Sequence, residues 1–151
     1  GNTVFSANFI PIGFAIGVSQ AALLVLATQT TNATATVLRS DADAASGTNQ
    51  VILPNNSAYF FKGSCIANVT GAANGAAWSF EGAIMRGANA ASTAMVGTPT
   101  VTMTHFDAGA ATWVVAVTAN TTLGCITVTV TGAAATTIRW VAKINTTEVT
   151  Y

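Results

Sequence analysis

From residue 34 onward the apolar positions of this chain recur every second residue. They fall in short runs of Val, Thr, Ile and aromatic residues separated by turns of Gly, Asn, Ala and Ser. A period of two is the mark of a strand whose two faces meet different surroundings. The alternation is cleanest in the last third. Trp113, Val115 and Val117 share one face, opposite Thr112, Val114, Ala116 and Thr118. Ile126, Val128 and Val130 oppose Cys125, Thr127, Thr129 and Thr131, and Ile138, Trp140, Ala142 and Ile144 oppose Thr137, Arg139, Val141 and Lys143. An apolar face backed by a Thr-rich face fits an antiparallel sheet packed on one side. Thr suits strands for the same χ1 restriction that favours Val there.

Turn signals divide the rest into predicted strands at Ala35–Arg39, Gln50–Leu53, Ala58–Val69, Ala77–Met85, Thr93–Phe106 (broken at Gly97–Pro99), Thr112–Thr118, Cys125–Thr131 and Thr136–Tyr151. The stretch from Phe5 to Ala27 is apolar enough and long enough to raise a membrane span. It is interrupted by Asn8, Pro11, Gly13, Gly17, Ser19 and Gln20, and it lacks flanking positive residues, so two strands, Val4–Ile12 and Ala21–Thr28, are predicted instead. No helical period with a capping box is sustained. The expectation is an all-β fold with few helices, an antiparallel β-sandwich or jelly roll of about eight to ten strands. At 151 residues it forms one compact domain. Within it, residues 1–30 read as an apolar strand or assembly segment and residues 31–151 as the sandwich proper.

Charge narrows the function classes. Only 7% of residues are charged, against roughly 25% in an ordinary soluble domain. Arg39, Lys62, Arg86, Arg139 and Lys143 cancel Asp41, Asp43, Glu81, Asp107 and Glu148 to a net charge of zero. There is no basic field for a nucleic-acid backbone. Near-zero net charge favours self-association, so a homo-oligomer is expected. Cys65 and Cys125 lie in strand-like runs, where they either pair or stay as buried thiols.

Three phrases carry a family resemblance: Gly47-Thr-Asn-Gln-Val-Ile-Leu-Pro-Asn-Asn-Ser57, Trp78-Ser-Phe-Glu-Gly-Ala-Ile-Met-Arg-Gly87, and Ile138-Arg-Trp-Val-Ala142 followed by Thr147-Glu-Val149. Residues 30–151 resemble a C-terminal module of bacteriophage tail-fibre, tailspike and related appendage proteins. The resemblance implies a virion protein, a homotrimer associated with other virion proteins, whose role is attachment or tail architecture. A capsid-surface decoration or head-fibre protein that stabilises the particle is the alternative. It carries no catalytic set and no cofactor.

The residues themselves agree with a non-enzymatic protein. The one histidine, His105, has no Gly-x-Ser-x-Gly nucleophile to serve and reads as a strand-end residue. Asp41 and Asp43 could offer oxygen ligands to a cation, but two carboxylates in a sparse loop read as a solvated turn. No catalytic, metal or cofactor site is expected. Trp78, Trp113 and Trp140 fall on apolar strand faces and read as core, each N–H satisfied internally. Glu81, Arg86, Arg139 and Lys143 are candidate subunit-register charges, with Glu81 expected to pair across strands with Arg139 or Lys143. The functional role open to the three cations is an anion site for a sialylated or phosphorylated surface glycan. Candidate receptor-contact groups are the loop residues Asn55, Asn56, Tyr59, Asn74, His105, Asp107 and Asn120, acting by hydrogen bonding and stacking on a bacterial surface glycan.

Overall fold

The computed structural model describes residues 2–6 and 19–151. In chain order the strands are β1 (Asn2–Ser6), β2 (Ser19–Thr30), β3 (Thr36–Val37), β4 (Val51–Ile52), β5 (Ser57–Val69), β6 (Gly75–Arg86), β7 (Ala94–Met95), β8 (Thr100–Phe106), β9 (Val114–Asn120), β10 (Cys125–Thr131) and β11 (Ile138–Thr150). Eight of these have five residues or more, and three have two. The only helical elements among the described residues are single 3-10 turns at Ala90–Ser92 and Ala108–Ala110. No helix among them is long and apolar enough to cross a membrane. The predicted strand Val4–Ile12 lies outside the described residues beyond residue 6.

Two antiparallel sheets form the sandwich. The larger, of seven strands, runs β1-β2-β11-β5-β6, with β7 and β8 both paired to β6. The smaller has four: β10 pairs β9 along one edge and β3 and β4 along the other. β2 pairs with β11 from Thr30↔Ile138 to Ser19↔Val149. From Ser19 on, the apolar N-terminal segment is therefore a strand of the larger sheet, paired with β11.

Alternation places the core. Phe61, Cys65 and Ala67 of β5, Trp78, Phe80 and Ile84 of β6, Ile138, Trp140, Ala142 and Ile144 of β11, and Leu24 and Leu26 of β2 all point inward. Val115, Val117, Ile126, Val128 and Val130 face them from the smaller sheet. At the centre Trp140 meets Trp78 at 5.5 Å and Trp113 at 5.7 Å between ring centroids, both tilted. Tilted aromatic pairs each contribute about 0.5–1.5 kcal/mol beyond their buried area. The Trp140 N–H donates to Thr30 Oγ1 at 3.0 Å. The Trp113 N–H is buried with no acceptor, contrary to the expectation that every indole would be satisfied.

The alternation misses one feature of β10. Cys125 and Thr127, on the side opposite Ile126 and Val128, are buried as well, so this strand is covered on both faces. Both cysteines are free and buried. Burial pushes the Cys65 thiol up to about 12, which fits a small apolar side chain rather than a reactive one.

Candidate recognition surface

The outward face of the larger sheet is the broadest surface whose chemistry can be followed row by row. Direct cross-strand partners share a face, so the pairings read out its rows. Next to the β5–β6 turn, which spans residues 70–74, one row runs Arg39, Ala27, Val141, Ile66, Ala77, His105. Toward the opposite end another runs Phe5, Ala21, Thr147, Phe60, Ala83. A third runs Ser19, Val149, Ala58, Met85, Ala94. The face thus has a mixed, polar half at the 70–74 end, where Arg39 and His105 flank the exposed Val141 and Ile66, and an uncharged apolar half at the other.

In the apolar half Phe5 is 68% exposed, Phe60 50% and Met85 47%. Val96, whose N–H bonds the Ala83 carbonyl, extends the same patch. No charged side chain lies in its two rows. Between the halves Lys62 and Glu81, direct partners on β5 and β6, form a solvent-exposed ion pair at 3.6 Å. This corrects the expected pairing of Glu81 with Arg139 or Lys143. Those two residues stand on β11, and β5 separates β11 from the Glu81 strand. An exposed pair of this kind adds little stability; here its effect is to neutralise two of the face's few charges.

In the polar half a groove of about 580 Å³ crosses β5, β6 and β8. Its floor is Gly75 and Ala77, small residues flanked by Ile66 and Asn68 on one side and Thr104, His105 and Asp107 on the other. A β-bulge shapes it: His105 pairs with Ala77 but Met103 with Trp78, leaving Thr104 as the extra residue. The Thr104 hydroxyl donates to the Ala77 carbonyl at 3.1 Å. Asp107 Oδ2 accepts from the Gly75 N–H at 2.8 Å, which fixes the carboxylate at the groove's edge. Asn74 stands in the adjoining turn and is not among the groove's lining residues. Its amide packs so closely on Gly109 that a Cβ there would lie 2.5 Å from Oδ1. The groove presents the His105 imidazole, the Asp107 carboxylate and the Asn68 amide beside apolar Ile66 and the 55% exposed Phe106. It can hold a hydroxyl-rich ligand by hydrogen bonds and apolar contact.

The other sequence candidates separate. Asn55 and Asn56 are exposed in the turn before β5, at the end opposite the groove. Asn56 takes φ +56°, bonds the Gly87 carbonyl through its N–H and accepts from the Tyr151 N–H. Asn120 Oδ1 accepts from the N–H groups of Thr122 and Leu123 at 3.0 and 2.9 Å, so it closes the β9–β10 turn. Tyr59 is corrected outright. It is buried within β5, and burial together with the Glu148 charge and hydrogen bond pushes its phenol well above the ordinary value. The Glu148 carboxylate is itself buried and accepts from Gln20 and from the Thr146 hydroxyl.

Arg86 is likewise internal to the chain. Its guanidinium donates to the Leu53 carbonyl at 2.6 Å and reaches the Gly124 carbonyl at 3.4 Å, joining the larger sheet to the β9–β10 turn. The Asp41–Asn49 loop spends its oxygens on itself. Asp41 Oδ1 accepts from Asn49 Nδ2 at 2.8 Å and from the Asp43 N–H at 3.1 Å. Among the described residues no group of three or more His, Cys, Asp or Glu could hold a metal ion. No protein-family model, curated protein or solved structure matches this chain.

Proposed function

We propose that this chain is a structural module of a bacteriophage virion, of the tail-fibre or appendage kind. It associates with copies of itself through the apolar half of its outer sheet face and offers the polar half to the host surface. The observation that carries the assembly reading is the uncharged patch of Phe5, Phe60, Met85 and Val96. Exposed apolar area of this kind marks an interaction site, and a chain with zero net charge opposes association weakly. An uncharged patch gathered at an axis meets its copies without like-charge repulsion, and the choice of a three-fold axis rests on the family resemblance. The virion assignment is supported by the resemblance of three phrases that fall on the turn before β5, on β6 and on β11. Its mechanism is packing and hydrogen bonding, with no covalent step and no cofactor.

Light scattering of the full chain during gel filtration tests the assembly. The wild type is expected at three chain masses, and Phe60→Glu with Met85→Glu at one. A wild type that stays monomeric at every concentration defeats the reading. For attachment, labelled protein is incubated with bacterial cells. Cells left bare by this chain but decorated by a longer appendage carrying it would make the module scaffold alone.

A further inference from the structure

The five cations of this chain are not equivalent. Lys62 is paired with Glu81, and Arg86 is committed to two backbone carbonyls. Arg39 and Arg139 have no carboxylate within ion-pair distance among the described residues, and both line one surface groove of about 570 Å³. The isolated bridge Ala27↔Arg39 puts Arg39 on the outer face of the larger sheet, beside Ala27. Arg139 stands on the same face of β11, two residues from Val141, which is the other neighbour of Ala27. Ala27 and Gln29 of β2 therefore lie between the two arginines, with Val141 beside Ala27 on β11.

Neither guanidinium is saturated. Arg39 Nη1 donates to the Asp43 carbonyl at 2.7 Å, while its Nε is buried with no acceptor. Arg139 has one long bond, Nε to Gln29 Oε1 at 3.4 Å, and is otherwise exposed. Each guanidinium carries five N–H donors and spends only one hydrogen bond on the protein, so donors remain on both for an acceptor in the groove. The one acid lining the groove, Asp41, is turned into its own loop by Asn49 and the Asp43 N–H.

We propose that the groove between Arg39 and Arg139 is a binding site for an oxyanion, carried by an acidic saccharide. Planar guanidinium forks match the paired oxygens of carboxylate, phosphate and sulfate groups. The saccharide source rests on the surface-recognition reading above; the oxyanion site does not. Of the three cations foreseen as anion ligands in the sequence, Arg139 stays, Arg86 is withdrawn by its carbonyl bonds, Lys143 lies outside the groove's lining, and Arg39 is added.

The test is calorimetric titration of the full chain with three probes: a galacturonic acid trisaccharide, its neutral galactose counterpart, and inorganic phosphate. The acidic trisaccharide is expected to bind, and to bind more weakly as salt rises. Arg139→Gln and Arg39→Gln should each weaken it about tenfold or more, the loss expected for a charge-assisted bond. Lys62→Gln, outside the groove, should leave it unchanged. Arg139 is exposed, so its variant should melt with the wild type and keep the result readable. Phosphate binding as tightly as the trisaccharide would keep the oxyanion site and overturn the saccharide source. No binding of either anion, or binding untouched in both arginine variants, would overturn the site. Because oligomeric mass is measured separately, failure here is distinguishable from failure of the assembly reading.

Discussion

Removing the Arg86 guanidinium tests how the two sheets are held together at the 53–57 end. In Arg86→Met the stem that covers apolar surface survives and the donors vanish. The bond to the Leu53 carbonyl, 2.6 Å long, is charge-assisted and worth about 1.5–3 kcal/mol. The contact to Gly124 O at 3.4 Å adds little, and that carbonyl already accepts from the Leu53 N–H at 3.0 Å. Leu53 is fully buried, so its carbonyl would be left without that donor. Against this, the variant also removes Arg86 Nε, a buried donor with no partner in the wild type. The net expectation is a loss of about 2 kcal/mol, with Tm lower by about 4–8 °C. Urea unfolding followed by tryptophan fluorescence measures it, with the slope m unchanged because the exposed surface is the same. A loss below about 0.5 kcal/mol would place Arg86 among ordinary surface residues and refute the clamp. Gly124→Ala is the companion. With φ at +70° and an added Cβ only 2.3 Å from Arg86 Nη1, it should be destabilising alone and non-additive with Arg86→Met.

Other perturbations separate packing from titration. Gly63→Ala should cost about 1–3 kcal/mol or more, since its Cβ would meet the Phe80 ring at 2.3 Å and the Lys143 carbonyl at 2.7 Å. Gly47→Ala, with nothing within 4 Å, should change stability by less than about 0.5 kcal/mol in the same denaturation series. Thiol reagents should leave the native protein unmodified at neutral pH and label both cysteines once it is unfolded; rapid labelling of the folded chain would contradict their burial. Alkali should destabilise it. Burial raises the Cys65 thiol from 9.0 to about 12, so the unfolded chain releases that proton first, and stability falls as pH rises through that window. Tyr59 and Cys125, both raised mainly by burial, act in the same direction. Melting curves from pH 8 upward read the slope, and Cys65→Ala should make it shallower.

Much of the fold is local information and was legible as such. The strand Cys125–Thr131 follows from its turns, and the inward Trp140 and Ile144 from a period of two. What escaped was set by partners distant in sequence. Glu81 finds Lys62 because β5 lies between β6 and β11, and no local pattern gives that order. Tyr59 was drawn into the loop set by the neighbouring Pro54-Asn55-Asn56 turn. Its place in the alternation Ser57, Tyr59, Phe61 was the signal that it points inward. Of the site, His105 and Asp107 were legible as turn-proximal polar groups, whereas Asn68, inside a strand, carried no such signal. The bulge at Thr104 that shapes their groove, and the bridge that brings Arg39 to Ala27, depend on pairing that the sequence does not display.

β11 is the last strand of the sandwich to be synthesised, yet it lies between β2 and β5 inside the larger sheet. Trp140 is 110 residues from the Thr30 hydroxyl that receives its N–H. Until β11 inserts, β2 has no neighbour on that side and the β5–β6 hairpin has an open edge, so both are templates for pairing with another chain. Such non-local closure is slow. The three indoles meet only when it is complete, so refolding followed by tryptophan fluorescence should end in one late phase. Under the assembly proposed above, the final strand would act as a checkpoint: it removes the open edges before the apolar outer face meets a second copy.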